Sequence, residues 1–186
     1  MMSKQRCWWV KDADELYQRY HDQEWGLATH DDQYLFEILI LESFHVGLSW
    51  YIVLQKRDNF KRAFDNFDID KIVAYDNDKI ESLMKDKGII RHRKKILATI
   101  SNAIAFKKIQ ETFGSFDDYL YRFTDGRTII KRDSHDTKDD LSDRITIDLK
   151  KRGFSFLGST TIYAYLQAVG VIDGHDSCCF RVNDDR

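Results

Sequence analysis

The 186 residues include no proline and only nine glycines. Helix ends must therefore be set by capping side chains and by the few glycines, and no segment has the composition of a flexible linker. Three cysteines, an odd number, do not build a disulfide framework. In a reducing compartment their remaining uses are packing, catalysis or metal binding. Charge of one sign is lacking as well: 29 Lys and Arg against 31 Asp and Glu leave a net charge of -2, so any contact with nucleic acid must come from a local patch. The longest apolar stretches, Leu35 to Leu41 and Phe154 to Ile172, are too short or too interrupted by polar residues to cross a bilayer. The opening MMSKQRCWWVKD lacks the apolar core of roughly 7 to 15 residues that a signal peptide needs. The expectation is a cytoplasmic protein of one domain, residues 1–186, long enough to bury its own core.

What is present reads as all-α. Apolar residues recur at spacings of three and four in Tyr34, Leu35, Ile38, Leu39 and Leu41, and again in Ile96, Ile100, Ala103, Ile104 and Ile109. Asp68 stands before IDKIVAY, and Ser115 with Asp118 makes a capping pattern before YLYRF. Thr137 with Asp140 suggests the same before LSDRITIDLKKRG. Gly88, Gly114, Gly153 and Gly170 stand where helices should stop. No run alternates apolar and polar long enough for a sheet; residues 124–136, TDGRTIIKRDSHD, read as a loop in which TII has brief β character.

Three constellations can carry chemistry. The first joins the two ends of the chain: Cys7 and His21 near the start, His175 and Cys178 or Cys179 near the finish. Two thiolates and two imidazoles form the ligand set of a closed tetrahedral zinc site. Cys7 and His21 do not have a standard finger spacing, and dispersed Cys and His are often merely packed, so spacing leaves the site and its register open. The second is aromatic and acidic: Trp9, Tyr20, Trp25, Glu42 and Trp50. A carboxylate among rings suits a flat cationic ligand, through stacking, cation–π attraction and hydrogen bonding; rings in a core and a solvated Glu42 are the alternative. The third is KDKGIIRHRKKI, residues 85–96, between two helical segments within about residues 77–112. A turn containing Gly88 and Ile90 that leads into a helix N-terminus offers amides to a phosphate, and Arg91, Arg93, Lys94 and Lys95 add local positive charge. A basic turn facing solvent is the competing explanation.

Taken in order, RCWWV, YHDQEWG, LFEILILE, GLSW, GIIRHRKKI, KKRGFSFLGSTT and YLQAVGVIDGH resemble the bacterial 3-methyladenine DNA glycosylase I family, Tag, from about Arg6 to Cys179. The resemblance implies a helix-hairpin-helix DNA glycosylase fold with structural Zn2+ held by Cys7, His21, His175 and Cys179, joining the termini, with Cys178 a bystander. It implies a base pocket of Trp9, Tyr20, Trp25, Glu42 and Trp50, and a hairpin over Gly88 to Lys95. The implied activity is hydrolysis of the N-glycosidic bond of 3-methyladenine in double-stranded alkylated DNA, without strand nicking; small size and the absence of a heptad seam favour a monomer.

Methylation at N3 makes adenine a cation that leaves as a neutral base, so nucleotide extraction and base discrimination carry more of the work than acid catalysis. Leu48 of the GLSW turn is expected to wedge into the gap left by the flipped nucleotide, with Gly47 beside it as a further DNA-binding residue. Glu42 and Tyr20 are the expected catalytic contacts. His45 and Val46 stand where the family commonly has Gln-Ala. If they have abolished turnover, the chain is a non-catalytic binder of alkylation damage instead.

Overall fold

A computed structural model describes residues 4–10 and 14–184, with side chains through Val182; Lys11 and Asp12 of the amino-terminal patch lie outside the described residues. The helices are α1 (Glu15–Gln23), α2 (Asp32–His45), α3 (Trp50–Ala63), α4 (Ile69–Val73), α5 (Asn77–Lys85), α6 (Arg93–Phe113), α7 (Phe116–Tyr121), α8 (Asp140–Lys151), α9 (Ser159–Ala168) and α10 (Arg181–Asp184). None is long and apolar enough to cross a membrane, among the described residues.

Helix α2 forms the centre because its sequence is apolar on every face. Every residue from Leu35 to Phe44 is buried, against α3, α6, α7 and α9. Aromatic contacts tie it in: Phe36 meets Phe106 at 5.1 Å, Phe106 stacks on Phe116 at 4.1 Å, and Phe44 meets Phe60 at 4.8 Å. Two carboxylates are carried inside by this helix. Glu37 is answered by the guanidinium of Arg57 at 2.6 Å. Glu42, 3% exposed, has instead the imidazole of His45.

Capping side chains fix most of the helix starts. Asp31, Asp68, Asp76 and Ser115 each accept a first-turn amide of the helix that follows. At α8 the cap differs from the expectation. Asp139, not Thr137, accepts the Ser142 amide, and Ser142 Oγ returns a bond to complete a capping box. Asp139 wins because its carboxylate is also held by Lys131 at 2.7 Å, which fixes the entry to the helix. Gly114, Gly153 and Gly170 lie just past helix ends, as expected, and Gly88 lies in the turn beyond α5.

A second correction concerns residues 124–136. Ile129–Ile130 is a short strand, β1, pairing in parallel with β2, Ile172–Asp173. The Ile129 amide bonds to the Val171 carbonyl and the Lys131 amide to the Asp173 carbonyl, both at 2.8 Å. Arg132 adds a 2.5 Å bond to the Asp173 carboxylate. This pairing holds the segment after β1 against the chain that leads to His175.

Candidate active site and metal centre

A cleft of about 410 Å³ opens between α1, the end of α2, the start of α3 and the segment 134–137. Trp9, Tyr20, Trp25, Glu42 and Trp50, all expected in one pocket, line it together. Trp9 meets Trp25 edge-on at 4.9 Å, and Tyr20 faces Trp50 at 5.6 Å. Burial pushes the Glu42 carboxyl above its usual range, while His45, whose Nδ1 lies 3.0 Å from Glu42 Oε2, pulls the other way. The Tyr20 phenol is driven well above its ordinary value by burial and then by the charge of Glu42, so it stays protonated and able to donate. A cavity walled by rings, with one buried carboxylate unanswered by Lys or Arg, has the chemistry to receive a flat cation.

Other lining residues carry no such signal in the sequence. Tyr17, Trp8, Ala164, Gln167 and Gly174 contribute, as do Ser134, His135, Asp136 and Thr137 from the segment read as loop. Trp8 is 70% exposed and touches His135 at 5.5 Å, forming a rim. The WW pair is the only local signal for Trp8; the 134–137 rim depends on pairing between β1 and β2, which has no local signature. His45 is visible only as a departure from a pattern.

Between His45 and Trp50 the chain makes the GLSW turn, closed by the Leu48 amide on the His45 carbonyl at 2.8 Å. Gly47 adopts φ +83°, a left-handed conformation that a side chain disfavours. Leu48 is 40% exposed beside the cleft, an apolar side chain presented to solvent.

In the turn between α5 and α6, Arg91, Arg93 and Lys94 are exposed, with Arg93 on Glu81 at 2.6 Å. Two expectations are revised here. Lys95 does not join the surface charge: it is 6% exposed, and its ammonium donates to the carbonyls of Phe44 and Val46 at 3.0 and 2.9 Å. It caps the end of α2 next to Glu42 and the GLSW turn. The amide of Gly88 is also engaged internally, donating to the Asp86 carboxylate at 2.7 Å. Gly88 therefore shapes the turn, since a Cβ would come within 2.9 Å of Asp86 Oδ1 and 3.2 Å of Asn59. Ile90 is half-buried, packed against the core.

The termini meet behind the cleft. Ligand atoms of Cys7, His21 and Cys179, all buried, lie within 4.8 Å of one another. Cys178 is exposed, and of the two candidate cysteines it is Cys179 that joins this group. His21 Nδ1 contacts Asp22 at 2.9 Å, and Arg6 holds that carboxylate with two 2.8 Å bonds. His175 Nδ1 contacts Asp173 at 2.8 Å. Each imidazole thus has its Nδ1 engaged and its Nε2 left over. Nε2 of His21 is 3.5 Å from Cys179 Sγ, whereas Nε2 of His175 is buried without a partner. The two rings lie 5.3 Å apart. Gly26 permits this approach, because a Cβ there would lie 2.5 Å from His175 Cε1. Burial raises both thiols and lowers His21, so these three side chains favour their neutral forms. Cys7, His21 and Cys179 thus gather as three possible ligands, and His175, expected as the fourth, stands beside them with a buried, unpartnered Nε2 but outside that group. Thiols and imidazoles with a carboxylate behind each ring are side-chain types that suit zinc.

Residues 9–182 match the family model described as methyladenine glycosylase. The chain belongs to this family. Escherichia coli (strain K12) DNA-3-methyladenine glycosylase 1 is 39% identical over 185 residues, covering 96% of this chain and 98% of the relative. A crystal structure of 3-methyladenine DNA glycosylase I shares 43% identity with a TM-score of 0.91, over 95% of this chain and 98% of that one. A Tyr-to-Phe variant of such a glycosylase, solved in complex with 3-methyladenine, is 34% identical with a TM-score of 0.90, over 94% and 96%. Membership also accounts for the mainly helical architecture, which these structures share.

Proposed function

We propose that this methyladenine glycosylase removes 3-methyladenine from double-stranded alkylated DNA as a monofunctional enzyme, leaving an abasic site. The observation that carries the reading is the cleft: a buried carboxylate, Glu42, inside a wall of Trp9, Tyr20, Trp25 and Trp50, opening beside the exposed Leu48. The relatives named for this activity and the relative solved with 3-methyladenine support it.

The base, flipped into the cleft, meets the rings on its faces. Glu42 and Tyr20 contact its edge, with Tyr20 donating and Glu42 accepting. Leu48 occupies the gap in the duplex, on the turn that Gly47 makes possible. The bond between C1′ and the base nitrogen breaks with its electron pair passing to the base, which neutralises it. Water adds to C1′ and releases its proton to solvent. Glu42 contributes by binding the cationic base and by stabilising positive charge on the sugar as the base departs. No lysine acts as a nucleophile, so strand nicking is not expected.

Arg91, Arg93 and Lys94 hold the backbone of the DNA. Three basic residues, counting Lys95, stand in the first turn of the 21-residue α6 with no acidic residue there. Cations at that end oppose the helix dipole, and a phosphate relieves the opposition. The Gly88 amide serves through the shape of the turn. Zinc, held by Cys7, His21, His175 and Cys179, would supply a structural crosslink with no open coordination position. Such a crosslink would brace Trp9 and Trp25, which contact His21 and His175 at 5.5 and 4.8 Å and also line the cleft. The working unit is a monomer located in the cytoplasm.

The test is release of free 3-methyladenine from methylated duplex DNA under single-turnover conditions, with Glu42→Gln in parallel. Release by the parent and a loss of about 100-fold in the variant at unchanged metal content is the expected result. Retention of methylated DNA with no base released would instead make the chain a binder of the lesion. Borohydride trapping of a covalent complex would overturn the monofunctional assignment.

A further inference from the structure

Glu42 and His45 stand one helical turn apart on α2, and both side chains line the cleft. Glu42 lies at depth with its side chain 4% exposed, whereas His45 is 32% exposed. His45 also meets Trp50 at 5.6 Å, so its ring lies between two groups assigned to the base. Neutral imidazole with its proton on Nδ1 donates to Glu42 and leaves the carboxylate's full negative charge in the pocket. Imidazolium makes the same bond but cancels that charge. Hydrogen-bond geometry is equal in the two states; what a bound base experiences is not.

We propose that His45 is a specificity-determining residue: by its contact with Glu42 it sets the net charge offered to the base, and so the preference for a cationic purine over a neutral one. This rests on the cleft being the base site. With His45 neutral the pocket carries one negative charge and favours a methylated, positively charged base. With His45 protonated the pocket is neutral overall and the preference falls. Imidazole exists in both neutral and protonated forms in water, and discrimination against ordinary adenine weakens when His45 takes up a proton.

Other ionisable groups around His45 do not duplicate this. Tyr17 and Tyr20, from α1 and the same cleft, have phenols raised by burial and remain neutral. Lys95, from α6, is committed to the carbonyls of Phe44 and Val46 at the end of the helix. His135 and Asp136 line the same cleft from the segment after β1, and the His135 ring touches Trp8 rather than Glu42. Glu42 itself is raised by burial and takes up a proton at lower pH, which reduces cation binding in the same direction. That loss persists when His45 is absent, whereas the step due to His45 does not.

The experiment measures binding of 3,9-dimethyladeninium, a purine of fixed positive charge, by quenching of the cleft tryptophans between about pH 5.5 and 8. Parent, His45→Gln and His135→Gln are compared, with excision of 3-methyladenine followed over the same range. In the parent, affinity should rise about tenfold with pH through a one-proton step, as expected for one unit charge added near a partly screened ligand. His135→Gln should keep the step and His45→Gln should lose it, with the excision profile flattening in parallel. A step that survives in His45→Gln, or is absent from the parent, overturns the assignment to His45 while leaving the glycosylase reading intact if excision proceeds. Failure of the parent both to bind the cation at any pH and to excise 3-methyladenine overturns both.

Discussion

The terminal cluster and the base cleft both pair histidine with carboxylate, in opposite order of depth. In the cluster the imidazoles are inside and the carboxylates outside: His21 and His175 side chains are 0% and 4% exposed, against 17% and 13% for Asp22 and Asp173. In the cleft Glu42 is the deep group and His45 the outer one. A histidine backed by a carboxylate has its tautomer fixed and offers a lone pair inward, which suits a metal. A carboxylate fronted by a histidine keeps a negative charge whose strength the histidine adjusts, which suits a cationic organic ligand. The same two side-chain types therefore serve opposite signs of partner, according to which of them is buried.

The largest expected effect would break the cluster half of that comparison. Cys7→Ser should remove bound zinc and lower stability by about 3 kcal/mol or more, since metal binding free energy is folding free energy at such a site. For a domain of this size the loss appears as a fall of about 10 °C in Tm. Cys178→Ser should leave metal content and Tm unchanged, because Cys178 is exposed and apart from the cluster. Equal behaviour of the two variants would remove the zinc assignment.

On the cleft side, Glu42→Gln should cost activity and gain stability. The Glu42 carboxyl is raised by burial, so its charged form is less favourable in the folded chain than in the unfolded one. Stability from this residue is therefore full below the ordinary carboxylate range and declines as pH rises through the raised value. Glutamine removes that decline. Scanning calorimetry should give the variant the higher Tm near pH 7, with the difference closing toward about pH 4. A lower Tm for the variant near pH 7 would show that the contact with His45 outweighs the burial of Glu42.

A smaller effect is expected next to the cleft. Gly47→Ala places a side chain at φ +83° and should cost about 1 kcal/mol, read from denaturant unfolding. No atom stands within 4 Å of the added Cβ, so the cost is conformational alone. The smallest effect belongs to the hairpin. Arg91→Ala or Lys94→Ala should leave Tm unchanged and reduce the salt dependence of DNA binding by about 0.9 in the logarithmic slope for each phosphate no longer neutralised. Lys95→Met should do the reverse, lowering Tm because two carbonyls at the end of α2 are left without their donor.

Much of the frame is legible in the sequence. The spacing of Tyr34, Leu35, Ile38, Leu39 and Leu41 marks a helix, though not that it is central, and Asp68 and Ser115 mark helix starts by chemistry that acts within one turn. Glu42, Tyr20 and Trp50 are recognisable because a short pattern places them. Features set by distant partners are hidden. Lys95 reads as one more cation in a basic run, and only the position of α2 turns it inward. Asp139 replaces Thr137 as a cap because Lys131 fixes it, and the two-residue strands pair across 43 positions of sequence, Ile129 with Ile172, without any local period. The pocket wall at 134–137 follows from that pairing and is hidden with it.

The meeting of the two ends also has a consequence for the timing of assembly. The Trp8 amide bonds to Asp176 and the Phe180 amide to the Gln5 carbonyl, so the stretch carrying Trp9 is closed by residues translated about 170 positions later. Helices α2 to α7 can gather while the chain is still being made, but the cleft gains its last wall only after residues 173–180 have left the ribosome. A chain that ends before residue 173 thus lacks the partners that close the stretch carrying Trp9, and its pocket is unfinished.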